Sequence, residues 1–407
     1  MTIRTKQWTP PGSRSATCSR EGADMRITSE HSPLSFLSQR LAYASRNRIR
    51  AINLVENVPV WPARFRPELH ERAQPDIFHY APAEGDETLL RLLLERENAR
   101  AGEEDGTLTT RNILVTNGAT QGLSLLLGLL DPRRPTILCQ SPAFIGITAL
   151  MQARGYIVRH CPVGTDLVDW MSSTLSDDVA AIYVNTPHNP TGSVLPAASL
   201  QALIDRAGMH GARVIVDAVY EDFVFDGQCC HLPRQPDCEH VAVLNSVSKN
   251  FGAPGLRIGW IVAAAKDVAQ LTGDLERECV AVCSDAQVRA AEIVSRSNGP
   301  LVAHVDAARG AVFDMLRAIP GLEFETCSAG TQVMAHSDVD DVEAFADFAL
   351  ARYGLILATS RNYSGMRSQS IRIPLGQERD RIAQGLDMLD SSIRSYRETV
   401  HAVRRSA

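Results

Sequence analysis

Residues 245–260 read NSVSKNFGAPGLRIGW, and Lys249 within them is one of three lysines in 407 residues. Lys6 and Lys266 are the other two, and arginine carries the rest of the positive charge. A guanidinium stays protonated, whereas a buried lysine amine can condense with an aldehyde to form a Schiff base. Around Lys249, Ser246 and Ser248 offer short hydroxyl donors and Arg257 a planar fork, a set suited to a phosphate dianion.

Three further segments could do chemistry. TNGATQG (116–122) is a turn opening a helix, whose first N–H groups and dipole make an anion seat. NTPHNPTG (185–192) places Asn189 before Pro190, which holds its amide in position to donate to a ligand oxygen. VIVDAVYEDF (214–223) puts Asp217 after three β-branched residues, at the edge of a buried sheet, with Tyr220 three positions on. A carboxylate there needs a cationic partner or strong hydrogen bonds. Each segment alone also reads as an ordinary turn or cap. Jointly they meet the demands of pyridoxal 5'-phosphate (PLP): a lysine for its aldehyde, donors for its phosphate and phenolic oxygen, and an acid for its ring nitrogen.

These segments require a scaffold that brings strand ends together. From about residue 86 the chain alternates helical stretches (87–102, 120–130, 196–211) with short β-rich runs at 112–117, 135–140, 180–185, 213–218, 242–246 and 258–264. That alternation implies an α/β fold, with a mostly parallel sheet of the seven-stranded type sandwiched by helices. Beyond about residue 300 a long helix (302–319), two short strands, a helix at 339–353, a strand at 371–374 and a final helix read as a smaller α+β domain. The expected division is a flexible tail over 1–30, a small domain from 31–85 and 300–407, and a large cofactor domain over 86–299.

A net charge of −6 argues against nucleic acid as the main partner, and no apolar run approaches membrane-spanning length. The first twenty residues lack an apolar signal region, and Met25 is an alternative start. Nine cysteines without a framework pattern suit a cytoplasmic location. Cys229, Cys230, His231, Cys238 and His240 cluster in a loop, but their spacing matches no common zinc pattern, so no metal is expected.

The block S-x-S-K-x-x-x-x-P-G-x-R-x-G-W, with N-P-T-G and D-x-x-Y, resembles the fold type I PLP enzymes, specifically the class I/II aminotransferases, over roughly residues 48–395. The resemblance implies that Lys249 is the Schiff-base lysine and proton shuttle, and that Asp217 pairs with the pyridine nitrogen. Asn189 and Tyr220 would bind the phenolic oxygen. Ser246, Ser248 and Arg257, with the backbone of Ala119 and Thr120, would hold the phosphate. Phe144 would stack on the ring, and Tyr80 would reach the phosphate of a neighbouring subunit in a homodimer. Arg372 would grip the substrate α-carboxylate. Two segments depart from the pattern: Asn57 replaces a glycine in the substrate loop, and Thr359-Ser360 replaces Pro-Gly before the carboxylate-binding segment. Glu56, in that loop, is placed to meet a basic side chain such as a guanidinium. The implied reaction is transamination between a specialised amino acid and a 2-oxo acid. The alternative diverts the deprotonated amino acid, in an arginine-like substrate for instance, to elimination, cyclisation or oxidation. A non-catalytic sensor domain is a third reading, disfavoured by the complete catalytic set.

Overall fold

The computed structural model of the protein describes residues 33–67, 77–100, 106–227, 236–366 and 369–406. The tail and Cys229, Cys230 and His231 lie outside these residues. Among the described residues no group of His, Cys, Asp and Glu is placed to hold a metal ion, and no helix is long and apolar enough to cross a membrane.

Seven strands form the main sheet, in the spatial order Ile113–Thr116, Gly259–Val262, Val241–Ser246, Arg213–Asp217, Val179–Asn185, Thr136–Cys139 and Ile157–His160. Only Gly259–Val262 runs antiparallel to its neighbours. Six strands coincide with the β-rich runs in the sequence. The seventh, Ile157–His160, does not stand out there because it is a sheet edge whose side chains remain partly or largely exposed. It therefore lacks the continuous apolar run that marks a strand buried on both faces.

Helices cover both faces of this sheet. Glu87–Asn98 starts where the Asp86 carboxylate accepts from Leu89 N, and it buries Leu89, Leu90 and Leu93. Each such leucine contributes about 2 kcal/mol when withdrawn from water. These residues belong to one apolar core drawn from positions 89–293. A second core packs a four-stranded antiparallel sheet (Leu322–Phe324, Gln332–Ser337, Ser370–Pro374, Ala358–Thr359) against Gly299–Arg317, Val342–Tyr353 and Arg379–Ser406. Ile52 and Leu54 join it from the N-terminal side, and Phe223 and Phe225 from just beyond the Asp217 strand. The helix expected from 339 begins at Val342, because the Asp341 carboxylate caps it by accepting from Glu343 N and Ala344 N.

Candidate active site

The carboxyl ends of the parallel strands set the position of the site. Register pairs Asn185 with Asp217 and Asp217 with Leu244, so the ends of three central strands lie side by side. Gly259 opens the antiparallel strand beside them, and a Cβ there would lie 2.5 Å from Ala119 N. That close approach lets the N-terminus of helix Gly118–Gly128 sit against the sheet. Gly118 has φ +75°, and a Cβ on it would strike Arg257 Nη2 at 2.5 Å. Two glycines thus keep the Arg257 fork beside a helix N-terminus, where an anion is favoured.

Lys249 sits in a single helical turn, Val247–Asn250, capped by Ser246, whose Oγ accepts from Ser248 N at 3.0 Å. Ser246 Oγ also lies 2.9 Å from Ser248 Oγ, and Arg257 Nη1 donates to Ser248 Oγ at 3.5 Å. Amide side chains tie this turn to the one bearing Tyr220. Asp222 N donates to Asn250 Oδ1 at 3.1 Å, Asn250 Nδ2 to Asn245 Oδ1 at 2.7 Å, and Asn245 Nδ2 to Glu221 Oε2 at 2.9 Å. Asn250, Asn245 and Glu221 are buried, so the two turns are held as one unit.

Burial lowers the Lys249 amine to a pKa of about 7, and the cations Arg372 and Arg257 push the same way against Glu56 and Asp217. Its Nζ donates to the Asn57 carbonyl at 2.6 Å. Asp217 is buried, which raises its carboxyl pKa, while donation from Tyr183 Oη to Oδ2 at 2.6 Å and from Val219 N to Oδ1 opposes the rise. Tyr220 is likewise raised by burial.

One cavity of about 360 Å³ is lined by Glu56, Asn57, Ala119, Thr120, Phe144, Asn189, Asp217, Tyr220, Ser246, Ser248, Lys249, Arg257 and Arg372. The structure therefore brings together every sequence-predicted site residue but Tyr80, which lies outside its own chain's cavity and is 84% exposed. The volume falls in the range of small-molecule and cofactor sites. Arg372, from the second sheet, donates to the Val55 carbonyl and keeps Nε buried without a partner. The residues fit PLP and an amino acid: a reactive amine, a deep carboxylate, a fork at a helix N-terminus and an unspent arginine donor.

Asn57 does more than line the wall. Its Nδ2 donates to Tyr220 Oη at 3.1 Å and to Gln332 Oε1, and its Oδ1 accepts from Thr331 Oγ1 at 2.8 Å. Thr359 is absorbed into a local turn, donating from its backbone to Asn362 Oδ1 at 3.0 Å and from Oγ1 to Glu343 Oε1 at 2.5 Å. Sequence reasoning missed Tyr183, His188 and Tyr363, which also line the cavity. The sole signal for Tyr183 was its place in a strand two residues before Asn185. His188 is buried, which lowers its pKa to about 4, with Nε2 2.9 Å from the Pro142 carbonyl.

A lysine-bearing turn, a carboxylate at a strand end and a phosphate seat across one α/β sheet define a PLP enzyme, and the chain belongs to the aminotransferase class I and II family. The family model matches residues 52–389, and members of the family use pyridoxal 5'-phosphate. The protein is thus a PLP-dependent transaminase. It is 38% identical to an L-aspartate:5-guanidino-3-methyl-2-oxopentanoate transaminase of Pseudomonas syringae pv. syringae, over 91% of this chain and 97% of that one. It is 35% identical to the 3-methylarginine biosynthesis aminotransferase of Streptomyces arginensis, over 83% of this chain and 90% of that one. Its fold matches aspartate aminotransferase from Thermotoga maritima with a TM-score of 0.77 at 18% identity, covering 91% of this chain and 99% of that chain.

Proposed function

We propose that this transaminase exchanges an amino group between an amino acid with a guanidino side chain and a 2-oxo acid, in a homodimer of shared sites. The observation that carries the substrate class is Glu56, an acid on the cavity wall whose Oε2 accepts from Asn53 Nδ2 at 2.9 Å and whose carbonyl accepts from Gln377 Nε2. A carboxylate so anchored offers a guanidinium a two-oxygen partner. The names of the two curated relatives, both concerned with guanidino compounds, support the same reading.

Bound PLP supplies an aldehyde for an amine to join and an electron-accepting ring. The chain's own residues do the rest. Arg372 orients the substrate by its α-carboxylate. Lys249, whose amine is lowered to a pKa of about 7 and so is partly neutral there, would take the α-proton and return it one position away. With PLP bound, Asp217 would place its carboxylate toward the ring nitrogen, Asn189 and Tyr220 would donate to the phenolic oxygen, and Ser246, Ser248, Arg257 and the Ala119–Thr120 backbone would hold the phosphate. Phe144 would cover the ring face. Two separate apolar cores, one drawn from 89–293 and the other mainly from beyond residue 300 with Ile52, Leu54, Phe223 and Phe225, support a large cofactor domain and a small domain, and a cytoplasmic location suits the free thiols of the described residues.

The test is a half-reaction screen of the holoenzyme with arginine, 3-methylarginine and neutral amino acids, read by cofactor absorbance and 2-oxo acid formation. Arginine-like substrates should react fastest, and Glu56→Gln should lower their kcat/KM about fivefold against neutral ones. Release of ammonia or peroxide in place of pyridoxamine phosphate would sink transamination as the reaction. Equal rates for neutral and guanidino substrates would sink the substrate class.

A further inference from the structure

We propose that Tyr363 is a positioning residue that fixes which end of the Asn189 amide faces the cavity. An asparagine amide has a donating and an accepting end, and a turn such as NPTG does not by itself choose between them. Here the choice follows from a chain of one-way hydrogen bonds. Tyr363 Oη donates to Asn189 Oδ1 at 3.1 Å. The hydroxyl has a single proton, and the Arg372 guanidinium, which lies against the same hydroxyl, can only donate. Arginine therefore occupies the accepting side of the oxygen, and the proton is left for Asn189. With Oδ1 committed, Nδ2 of Asn189 is the end available to the cavity.

The surroundings hold this arrangement in place. Tyr363 is only 4% exposed, and burial raises its pKa while Arg372 opposes the rise, so the hydroxyl keeps its proton at neutral pH. Its strand pairs antiparallel with Ala143–Phe144, register Tyr363 to Phe144, and the two rings meet edge to face at 6.5 Å. Asn189 is pinned from the other side, its backbone N donating to Asn185 Oδ1 at 2.7 Å. The Tyr363 segment follows directly on Thr359-Ser360, where the sequence departs from the family pattern. The hydroxyl thereby links the carboxylate-binding arginine to a donor for the cofactor's phenolic oxygen.

The inference rests on the PLP reading, and the experiment separates the two. A donor on the phenolic oxygen disperses charge that would otherwise retain a nearby proton. Its loss should move the pH midpoint of the bound cofactor's absorbance change upward. In Tyr363→Phe the midpoint should rise by about 0.5 to 1 pH unit, the size of one ordinary hydrogen bond. Site-specific 3-fluorotyrosine at 363 keeps the size of the side chain and acidifies its hydroxyl, so the midpoint should fall; this arm serves even if Tyr363→Phe does not fold. A midpoint that stays in place in both proteins overturns the role of Tyr363. Absence of any cofactor band in the parent protein overturns the PLP reading along with it.

Discussion

Tyr183 donates its hydroxyl to Asp217 Oδ2 across 2.6 Å, from the strand next to the one that carries Asp217. The tyrosine is buried, and its own pKa is pushed well above the usual value, by burial first and by Asp217 second. It is a fixed donor that opposes the rise burial imposes on the Asp217 carboxyl.

Removal of that donor should be visible as a pH effect. Asp217 must be ionised to work, so activity falls as pH drops through its pKa, and a higher pKa moves that limb upward. Tyr183→Phe should shift the acidic limb of kcat/KM up by about 1 to 2 pH units and lower kcat about tenfold, in line with a hydrogen bond to a charged group. A limb at the parent position would show that Tyr183 is merely packing.

Lys249 makes a second pH prediction. Its amine is lowered from 10.5 to about 7, chiefly by burial. The free amine is the reactive form, so the rate at which apo-protein captures PLP should rise about tenfold per pH unit below 7 and flatten above it. Stopped-flow absorbance measures this. A rate still climbing at pH 9 would mean an unshifted lysine, and Lys249→Arg should abolish capture.

Asn57 separates a positioning role from a substrate contact. Asn57→Gly takes away the donor to the buried Tyr220 Oη, while Thr331 Oγ1 keeps Gln332 Oε1 as an acceptor at 3.0 Å. Urea denaturation should show a loss of about 2 kcal/mol, as for an unsatisfied buried polar group. The KM for the amino acid should change less than threefold, whereas a direct substrate contact predicts a rise of tenfold or more.

Ile77, Phe78 and Tyr80 are 66%, 89% and 84% exposed, an apolar run at the surface. In the proposed homodimer this run would face the second subunit. Sedimentation should show a dimer, and Phe78→Asp should shift it toward monomer. Tyr80→Phe should keep the dimer and weaken PLP binding about tenfold, the loss of one hydrogen bond to phosphate.

Most of the residues that line the cavity were legible in the sequence because they follow a strand end at a short offset. Once Val214–Val216 is read as a buried strand, Asp217 has to emerge at its edge, and the same holds for Asn185 ahead of Asn189 and for Ser246 ahead of Lys249. Ile157–His160 was not legible because an exposed edge strand has no apolar signature. Tyr183 was hidden for a related reason: inside a buried strand an aromatic residue reads as core until its neighbour across the sheet is known. Asn57 and Thr359 stood out as departures, yet only their contacts show that one braces Tyr220 and the other closes a local turn.

The sequence by itself determined most of the sheet and the order along it of the residues that line the cavity, because these depend on local pattern and side-chain type. The tertiary structure decided which groups face one another across hundreds of residues. Asn57 meets Tyr220 and Thr331, Arg372 arrives from the four-stranded sheet and Tyr363 from a strand paired with Ala143–Phe144, and Tyr183 turns toward Asp217. Hydrogen-bond direction and pKa depend on those distant partners and on burial, and neither is encoded in the spacing of residues along a chain.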